Sequence, residues 1–438
     1  MQRDFTHGTG QSVHKIGTLI VLLFFDYYIA ISTKNCYYCN MIHKFSISNF
    51  HSVREEVVLD LRIPGTAPDL PRFRRSTAKP DIRLPSVVVL IGPNGSGKTT
   101  LLSALVATAF TATFSSSTEE IRPIMGFLPF WAKETRNEPT RFCLEFEADW
   151  LGEAHQLFRY ELAVVRSGND SFFSYEALSH FPKGRPRRLF ERGAPGEPIY
   201  VSHEFGLKPK DDRLQAVRAD TSVIATLNLL NISLAMRIVK WMKEFLLSSN
   251  IMIRERWAPP TQTVMDLFED NSDMESWVRN HIRSSDLGIQ DITISEQSGK
   301  KEVFFNHHGL DMPIPLSFES SGTKRLFHLL PQIGIALSNG VPAVLDEIDA
   351  DLHVDIASEI LSWFRSQETN PSGAQLFVSS HNVGLLDNLE KEEIFIVEKD
   401  SSGATRVHGA QDVQGLRRDT RLYPKYRAGV LGGIPKIG

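Results

Sequence analysis

The chain has 438 residues, of which 42% are hydrophobic and 23% charged, and it carries a net charge of −4. That length supports a large globular core, and the slight acidity removes the broad basic footprint of a protein that coats nucleic acid. Only Cys36, Cys39 and Cys143 are present, too few for a disulfide framework and in keeping with a reducing cytoplasm, and no period of about 20 to 50 residues recurs, which argues against a solenoid.

A strand pattern, Met41-Ile42-His43-Lys44-Phe45-Ser46-Ile47-Ser48-Asn49-Phe50, follows the first forty residues. Their apolar run, Ile16 to Phe25 between Lys15 and Asp26, is shorter than the roughly 20 residues that span a bilayer. It has the length of a signal-peptide core with no small-residue cleavage site after it. Translated upstream sequence is therefore expected first, a peripheral appendage second and a membrane anchor third, with no membrane expected. Cys36-Tyr37-Tyr38-Cys39 with His43 and His51 makes half a zinc motif, and no zinc is assigned.

The apolar run Val87 to Ile91 predicts a strand, and it leads into Gly92-Pro93-Asn94-Gly95-Ser96-Gly97-Lys98-Thr99-Thr100, with a helix expected from about Thr99. Strand, glycine loop and helix start follow in the order that phosphate binding requires. Backbone N–H groups of Gly95 to Thr99 converge only where the chain adopts positive φ, a freedom expected of Gly92, Gly95 and Gly97. Lys98 then sets an ammonium against β- and γ-phosphates, and the Thr99 hydroxyl is placed to ligate Mg²⁺. This is a Walker A loop.

Between residues 125 and 300 the pattern predicts strands at Arg141 to Glu147 and Tyr160 to Arg166, a basic turn at Pro182-Lys183-Gly184-Arg185-Pro186-Arg187-Arg188, and one long helix from Thr221 to Leu247. In that helix Leu227, Leu230, Ile232, Met236, Ile238 and Met242 are the residues available for burial.

Farther on, Glu319-Ser320-Ser321-Gly322-Thr323 precedes a helix expected over Lys324 to Ser338. The apolar strand Ala343-Val344-Leu345 ends in Asp346-Glu347, and an apolar strand from Gln375 to Val378 ends in Ser379-Ser380-His381-Asn382. A carboxylate at the C-terminal edge of a buried parallel strand sits where α/β sheets bind ligands. Asp346 is the residue expected to hold Mg²⁺, and Glu347 the base that orients water toward the γ-phosphate.

With these residues in place the chain resembles the ABC-type ATPases, and among them the RecF-like, double-strand-break repair and OLD groups. In that resemblance Glu319 to Thr323 stands at the signature motif, Ser320, Ser321 and Gly322 contact the nucleotide of a partner copy, Asp349 is the D-loop carboxylate and His381 the switch histidine. The resemblance implies ATP sandwiched in a head-to-tail homodimer. It implies an α/β fold, a P-loop NTPase of the ABC-ATPase type with an inserted α+β arm or lid. The expected divisions are an extension over 1–40, an N-terminal lobe over 41–124, the arm over 125–300 and a C-terminal lobe over 301–438. Glu-Ser-Ser-Gly-Thr, Asp346 to His353, Ser380-His381-Asn382, Val397-Glu398-Lys399-Asp400, Leu416 to Asp419 and Gly432-Gly433-Ile434-Pro435 look like the restriction-linked RloA and abortive-infection AbiL ATPases. Those are phage-defence proteins commonly encoded beside an RloB-type protein with a Toprim fold.

Two positions depart from the pattern. No glutamine stands between Gln11 and Gln156 to fill a Q-loop, which leaves that role unassigned with Glu134 and Asn137 nearby. Asn49-Phe50-His51-Ser52 carries His51 where the family has Arg or Lys. Basic clusters at Arg72, Arg74 and Arg75, at Lys183 to Arg188, and at Arg417, Arg418, Arg421, Lys425 and Arg427 leave DNA or RNA contact open. About 57 residues follow His381 without an Asp-x-Asp pair, so any metal-dependent cutting is expected on another chain. The functional expectation is an ATPase switch in anti-phage defence, beside a RecF-like DNA-maintenance ATPase or a nucleotide-dependent scaffold with little turnover.

Overall fold

A computed structural model of the chain describes residues 40–116, 127–150, 154–168, 170–182, 184–252, 255–256, 259–285, 288–297, 300–418 and 420–434. Ile16 to Phe25, Cys36, Cys39, Lys183, Asp419 and Pro435 lie outside the described residues. The chain divides into two compact units, the first built from residues 40–256 and 335–434 and the second from 259–334.

The first unit is organised by a five-stranded sheet in the order Ala343–Leu345, Leu376–Ser380, Val87–Ile91, Ile394–Lys399, Thr405–Gly409. The first four strands are parallel and the last is antiparallel. Every residue of Val87–Ile91 and of Leu376–Ser380 is buried, the pattern of strands covered on both faces. Register places Val378 beside Val89 and Val344 beside Phe377. The ends of three neighbouring strands thereby deliver the glycine loop, Asp346-Glu347 and Ser379 to His381 to one edge. The helix Lys98–Phe114 continues from the loop and is buried over most of its length.

The second sheet of this unit has seven antiparallel strands in the order Tyr200–Val201, Arg187–Arg192, Asp170–His180, Ala154–Ser167, Thr140–Trp150, Ile42–Ser48, Val57–Asp60. The strands expected at 141–147 and 160–166 are present and longer. They extend the sheet begun by Ile42–Ser48, with Phe45 beside Leu144. Within the stretch expected as one arm over 125–300, the strands from Thr140–Trp150 to Tyr200–Val201 join Ile42–Ser48 and Val57–Asp60 in the first unit, while Ile289–Gln297 lies in the second.

The helix expected over Thr221 to Leu247 is two helices, Val223–Leu229 and Ser233–Leu247, bent by 111°. The break falls at Asn231, which adopts a φ of 59°, the left-handed conformation that asparagine tolerates better than most side chains. The bend leaves Met236 44% exposed while Leu227, Ile232, Ile238 and Met242 are buried. Among the described residues no single helix is long and apolar enough to cross a membrane. This bent pair passes on length and composition alone, and much of it is buried.

The second unit holds helices Thr261–Asp270 and Ser272–Ser284, the hairpin Ile289–Gln297 with Lys300–His307, the short strand Ile314–Pro315, and most of the helix Ser321–Asn339. Its core is aromatic: the Phe327 ring meets Phe268 at 6.1 Å and Phe305 at 6.0 Å, both edge-on, the geometry that the ring quadrupole favours.

Candidate nucleotide site

The glycine loop turns through Gly95 and Gly97, at φ of 73° and 112°. Gly92 is not among the positive-φ residues, so its expected role in backbone freedom is corrected. A Cβ there would lie 2.0 Å from the Val397 carbonyl oxygen, which makes close approach of the neighbouring strand the reason for glycine. Ser96 N–H donates to the Pro93 carbonyl at 3.2 Å, closing the turn that carries Asn94 and Gly95.

Lys98 is 5% exposed. Its Nζ donates to the carbonyls of Gly92 at 2.8 Å and Pro93 at 3.0 Å and lies 3.5 Å from His381 Nδ1. Burial lowers its pKa, opposed by the charges of Asp346 and Asp349. An ammonium only donates, so His381 Nδ1 is the acceptor and the neutral ring carries its proton on Nε2. That nitrogen is 3.7 Å from Glu347 Oε1.

Asp346 joins two elements. Thr99 Oγ1 donates to its Oδ2 at 2.8 Å and Ser379 Oγ donates to its Oδ1 at 2.5 Å. The same Ser379 hydroxyl accepts from Glu347 N–H at 2.8 Å. Glu347 has a φ of 48°, a left-handed conformation that costs a non-glycine residue on the order of 1–2 kcal/mol. Asp349 accepts the His381 N–H, its Oδ2 at 3.2 Å. One edge of the sheet thus gathers Lys98, Thr99, Asp346, Glu347, Asp349 and His381.

In the second unit the segment Glu319 to Thr323 leads into a helix and caps it. Ser320 Oγ accepts from Thr323 N–H at 3.1 Å, and the helix begins at Ser321, earlier than the expected Lys324. Ser321 and Gly322 therefore occupy its first turn, where N–H groups have no partner within the helix. Glu319, in front of the cap, has Oε1 2.7 Å from His307 Nε2.

The donor set suits a nucleotide with Mg²⁺. Ser96 Oγ is buried within the loop without a hydrogen-bond partner, and a hydroxyl beside a carboxylate offers hard oxygens of the kind Mg²⁺ prefers. Among the described residues no cluster of three or more His, Cys, Asp or Glu side chains forms a metal cage.

Residues 87–387 match the family model described as "AAA domain, putative AbiEii toxin, Type IV TA system". The chain belongs to this AAA-domain family. No curated protein matches it. Among solved structures it is similar to an SMC head bound to the C-winged helix domain of ScpA, at 14% identity over 84% of this chain and 97% of that one, with a TM-score of 0.44. It is also similar to the SMC head domain from Thermotoga maritima, at 15% identity over 84% and 98%, with a TM-score of 0.38. A third similar structure is an Smc head with an extended coiled coil bound to the C-terminal domain of ScpA, from Pyrococcus furiosus, at 13% identity over 89% and 98%, with a TM-score of 0.42. The AAA-domain match and the parallel sheet that carries the glycine loop make the fold that of a P-loop NTPase.

At this AAA-domain site one residue beside the carboxylate had no sequence signal. It is Asn250: its Oδ1 accepts from Asp346 N–H at 2.7 Å and its Nδ2 donates to the Asp346 carbonyl at 3.1 Å. The Asn49 Nδ2 donates to the carbonyls of Thr135 and Glu138, and its Oδ1 accepts from Phe130 N–H, so this side chain fixes the loop that contains Glu134 and Asn137. Much of the basic character found in sequence is engaged inside the fold. Arg72 contacts Glu393, Arg74 donates to the Ser366 and Asn370 carbonyls, Arg188 pairs with Glu161, and Arg418 with Glu390 and Glu392. Arg417, Arg421, Lys425 and Arg427 remain exposed.

Proposed function

We propose that the protein binds ATP with Mg²⁺ and hydrolyses it to ADP and phosphate in a head-to-tail pair of copies, acting as a cytoplasmic switch in prokaryotic anti-phage defence. A separately encoded effector, of the RloB-like Toprim kind, reads its state. The ATPase part rests above all on one connected constellation: Thr99 bonded to Asp346, Asp346 to Ser379, Ser379 to Glu347, with His381 between Glu347 and Lys98. Support for the defence part comes from the family description, which names a toxin and a type IV TA system, and from the motif resemblance.

Each group has a chemical task in this reading. Thr99 and Asp346 would hold Mg²⁺, which when bound neutralises phosphate charge. Lys98 sets a cation against the β- and γ-phosphates. Glu347, its backbone pinned by Ser379, orients a water and takes its proton as the water attacks the γ-phosphorus. His381 offers an Nε2 proton on the same side. Ser320, Ser321 and Gly322 present helix N–H groups to the γ-phosphate of the partner copy. ATP thereby stabilises the paired state, and hydrolysis releases it.

The test is phosphate release by the full chain across a range of protein concentrations, beside Lys98→Ala and Glu347→Gln. Turnover that climbs faster than linearly with protein and vanishes in both variants is expected. Turnover proportional to protein and unchanged in Glu347→Gln would overturn the composite site.

A further inference from the structure

A polar cluster flanks the phosphate loop on the side of the strand pair Ile394–Lys399 and Thr405–Gly409, and the mechanism above leaves it without a task. Thr405 Oγ1 donates to the Ser96 carbonyl at 2.8 Å, and Thr405 N–H donates to the Ser52 carbonyl at 2.7 Å. Lys399 Nζ donates to Thr405 Oγ1 at 3.0 Å. The Ser52 hydroxyl lies 2.8 Å from Thr405 Oγ1 and 3.2 Å from Thr100 Oγ1. The cluster touches the loop itself: a Cβ on Gly97 would come within 2.2 Å of Thr405 Oγ1 and 3.0 Å of Ser52 Oγ.

Counting protons gives the cluster a direction. Thr405 has one hydroxyl proton, engaged by the Ser96 carbonyl, so its oxygen accepts from both Lys399 and Ser52. The single Ser52 proton is then shared between Thr405 and Thr100, with Thr100 Oγ1 as an acceptor. Thr100 keeps its own hydroxyl proton, and Lys399 keeps two of three ammonium protons. Lys399 is exposed, and Thr100 stands in the first turn of the helix that starts at Lys98. Two donors, one of them charged, at the rim of a loop of backbone N–H groups suit an anionic oxygen. Lys98 has other partners, the Gly92 and Pro93 carbonyls and His381.

We infer that Lys399 and Thr100, oriented by Ser52 and Thr405, form the arm that holds the α-phosphate end of a nucleoside di- or triphosphate. The inference rests on the ATP-binding function proposed above. Because the α-phosphate is common to ATP and ADP, the arm contributes equally to both and equally in the ground and transition states, so its loss raises KM and leaves kcat alone.

The experiment is equilibrium binding of ATP, ADP and adenosine to the full chain and to Lys399→Met, Lys399→Arg and Lys98→Met, with steady-state turnover alongside. Lys399→Met is expected to weaken ATP and ADP by the same factor, about tenfold for one charge-assisted bond, with adenosine unaffected. Lys399→Arg is expected to restore most of the loss, and Lys98→Met to weaken ATP more than ADP. Unchanged ATP and ADP affinities in Lys399→Met, or a loss confined to ATP, would overturn the α-phosphate assignment while ATP binding stands. A wild-type chain that binds neither nucleotide would overturn both.

Discussion

Replacing Gly92 with alanine tests whether the phosphate loop is fixed by contact with the next strand. The added Cβ would stand 2.0 Å from the Val397 carbonyl oxygen, 3.0 Å from its carbon and 3.1 Å from Ser96 Oγ. Backbone atoms do not give way as a flexible side chain does, so the loop or the strand Ile394–Lys399 moves by about 1 Å, at an overpacking cost of about 1–3 kcal/mol. The Gly92 carbonyl also accepts from Lys98 Nζ at 2.8 Å, so the displacement reaches the ammonium, and a shift of that size costs on the order of 10²-fold in rate. Gly92→Ala is expected to lower the thermal midpoint by roughly 2–10 °C and kcat/KM by about 10²-fold. Two companions separate the causes. Gly65→Ala, whose Cβ meets nothing within 4 Å, is expected within about 0.5 kcal/mol of wild type. Gly95→Ala has open space but a φ of +73°, and is expected to cost about 1 kcal/mol. Calorimetry with steady-state phosphate release reads all three, and a Gly92→Ala protein that melts and turns over like Gly65→Ala would refute the packing explanation.

Glu347→Gln keeps the size of the side chain and removes the proton acceptor, so kcat is expected to fall by about 10²–10⁴-fold while bound ATP is retained; single-turnover measurement of prebound nucleotide checks this. Asn250→Ala removes two hydrogen bonds to the Asp346 backbone, and is expected to destabilise the protein by about 1–3 kcal/mol and to weaken the Mg²⁺ dependence of turnover, both readable from one titration series with denaturation. In the second unit, burial holds the His328 imidazole below its ordinary pKa of 6.5, against the opposing pull of the Lys324 carbonyl. The unfolded chain then binds more protons than the folded one as pH falls below about 6.5, so stability is full above that value and declines on acidification. Hydrogen exchange of the helix Ser321–Asn339 at about pH 7.5 and pH 5.5 is expected to show that decline, with a flatter profile in His328→Gln.

What was legible in the sequence was local. Val87 to Thr100, Ala343 to Glu347 and the run up to His381 each carry strand and motif in a few consecutive residues, and the parallel arrangement brings them to one edge. What was not legible depends on distant partners. Asn250 lies 96 positions from Asp346, and Thr405 lies 309 from Ser96; neither residue type nor periodicity marks such a pairing. The alternating pattern of residues 141–147 revealed a strand but not that its neighbour is Ile42–Ser48, because alternation fixes which face is buried and leaves the partner open. The break at Asn231 did have a local signal. Asparagine inside an apolar helical pattern is the residue type that enters the left-handed conformation, and the apolar period on either side of it masked that signal.

The position of Val87–Ile91 in its sheet bears on how the protein is made. Val87 pairs with Leu376 on one side, and Val89 pairs with Ile394 on the other. A ribosome adding about 5–20 residues per second reaches those partners roughly 15–60 s after the strand itself has emerged. Through that interval an entirely apolar strand has neither neighbour, and the antiparallel strands up to Val201 are completed before either partner is made. Nascent chains of this protein are therefore expected to carry one finished sheet and one exposed, sticky half-sheet, and to depend on chaperones until the strand Ile394–Lys399 has been synthesised.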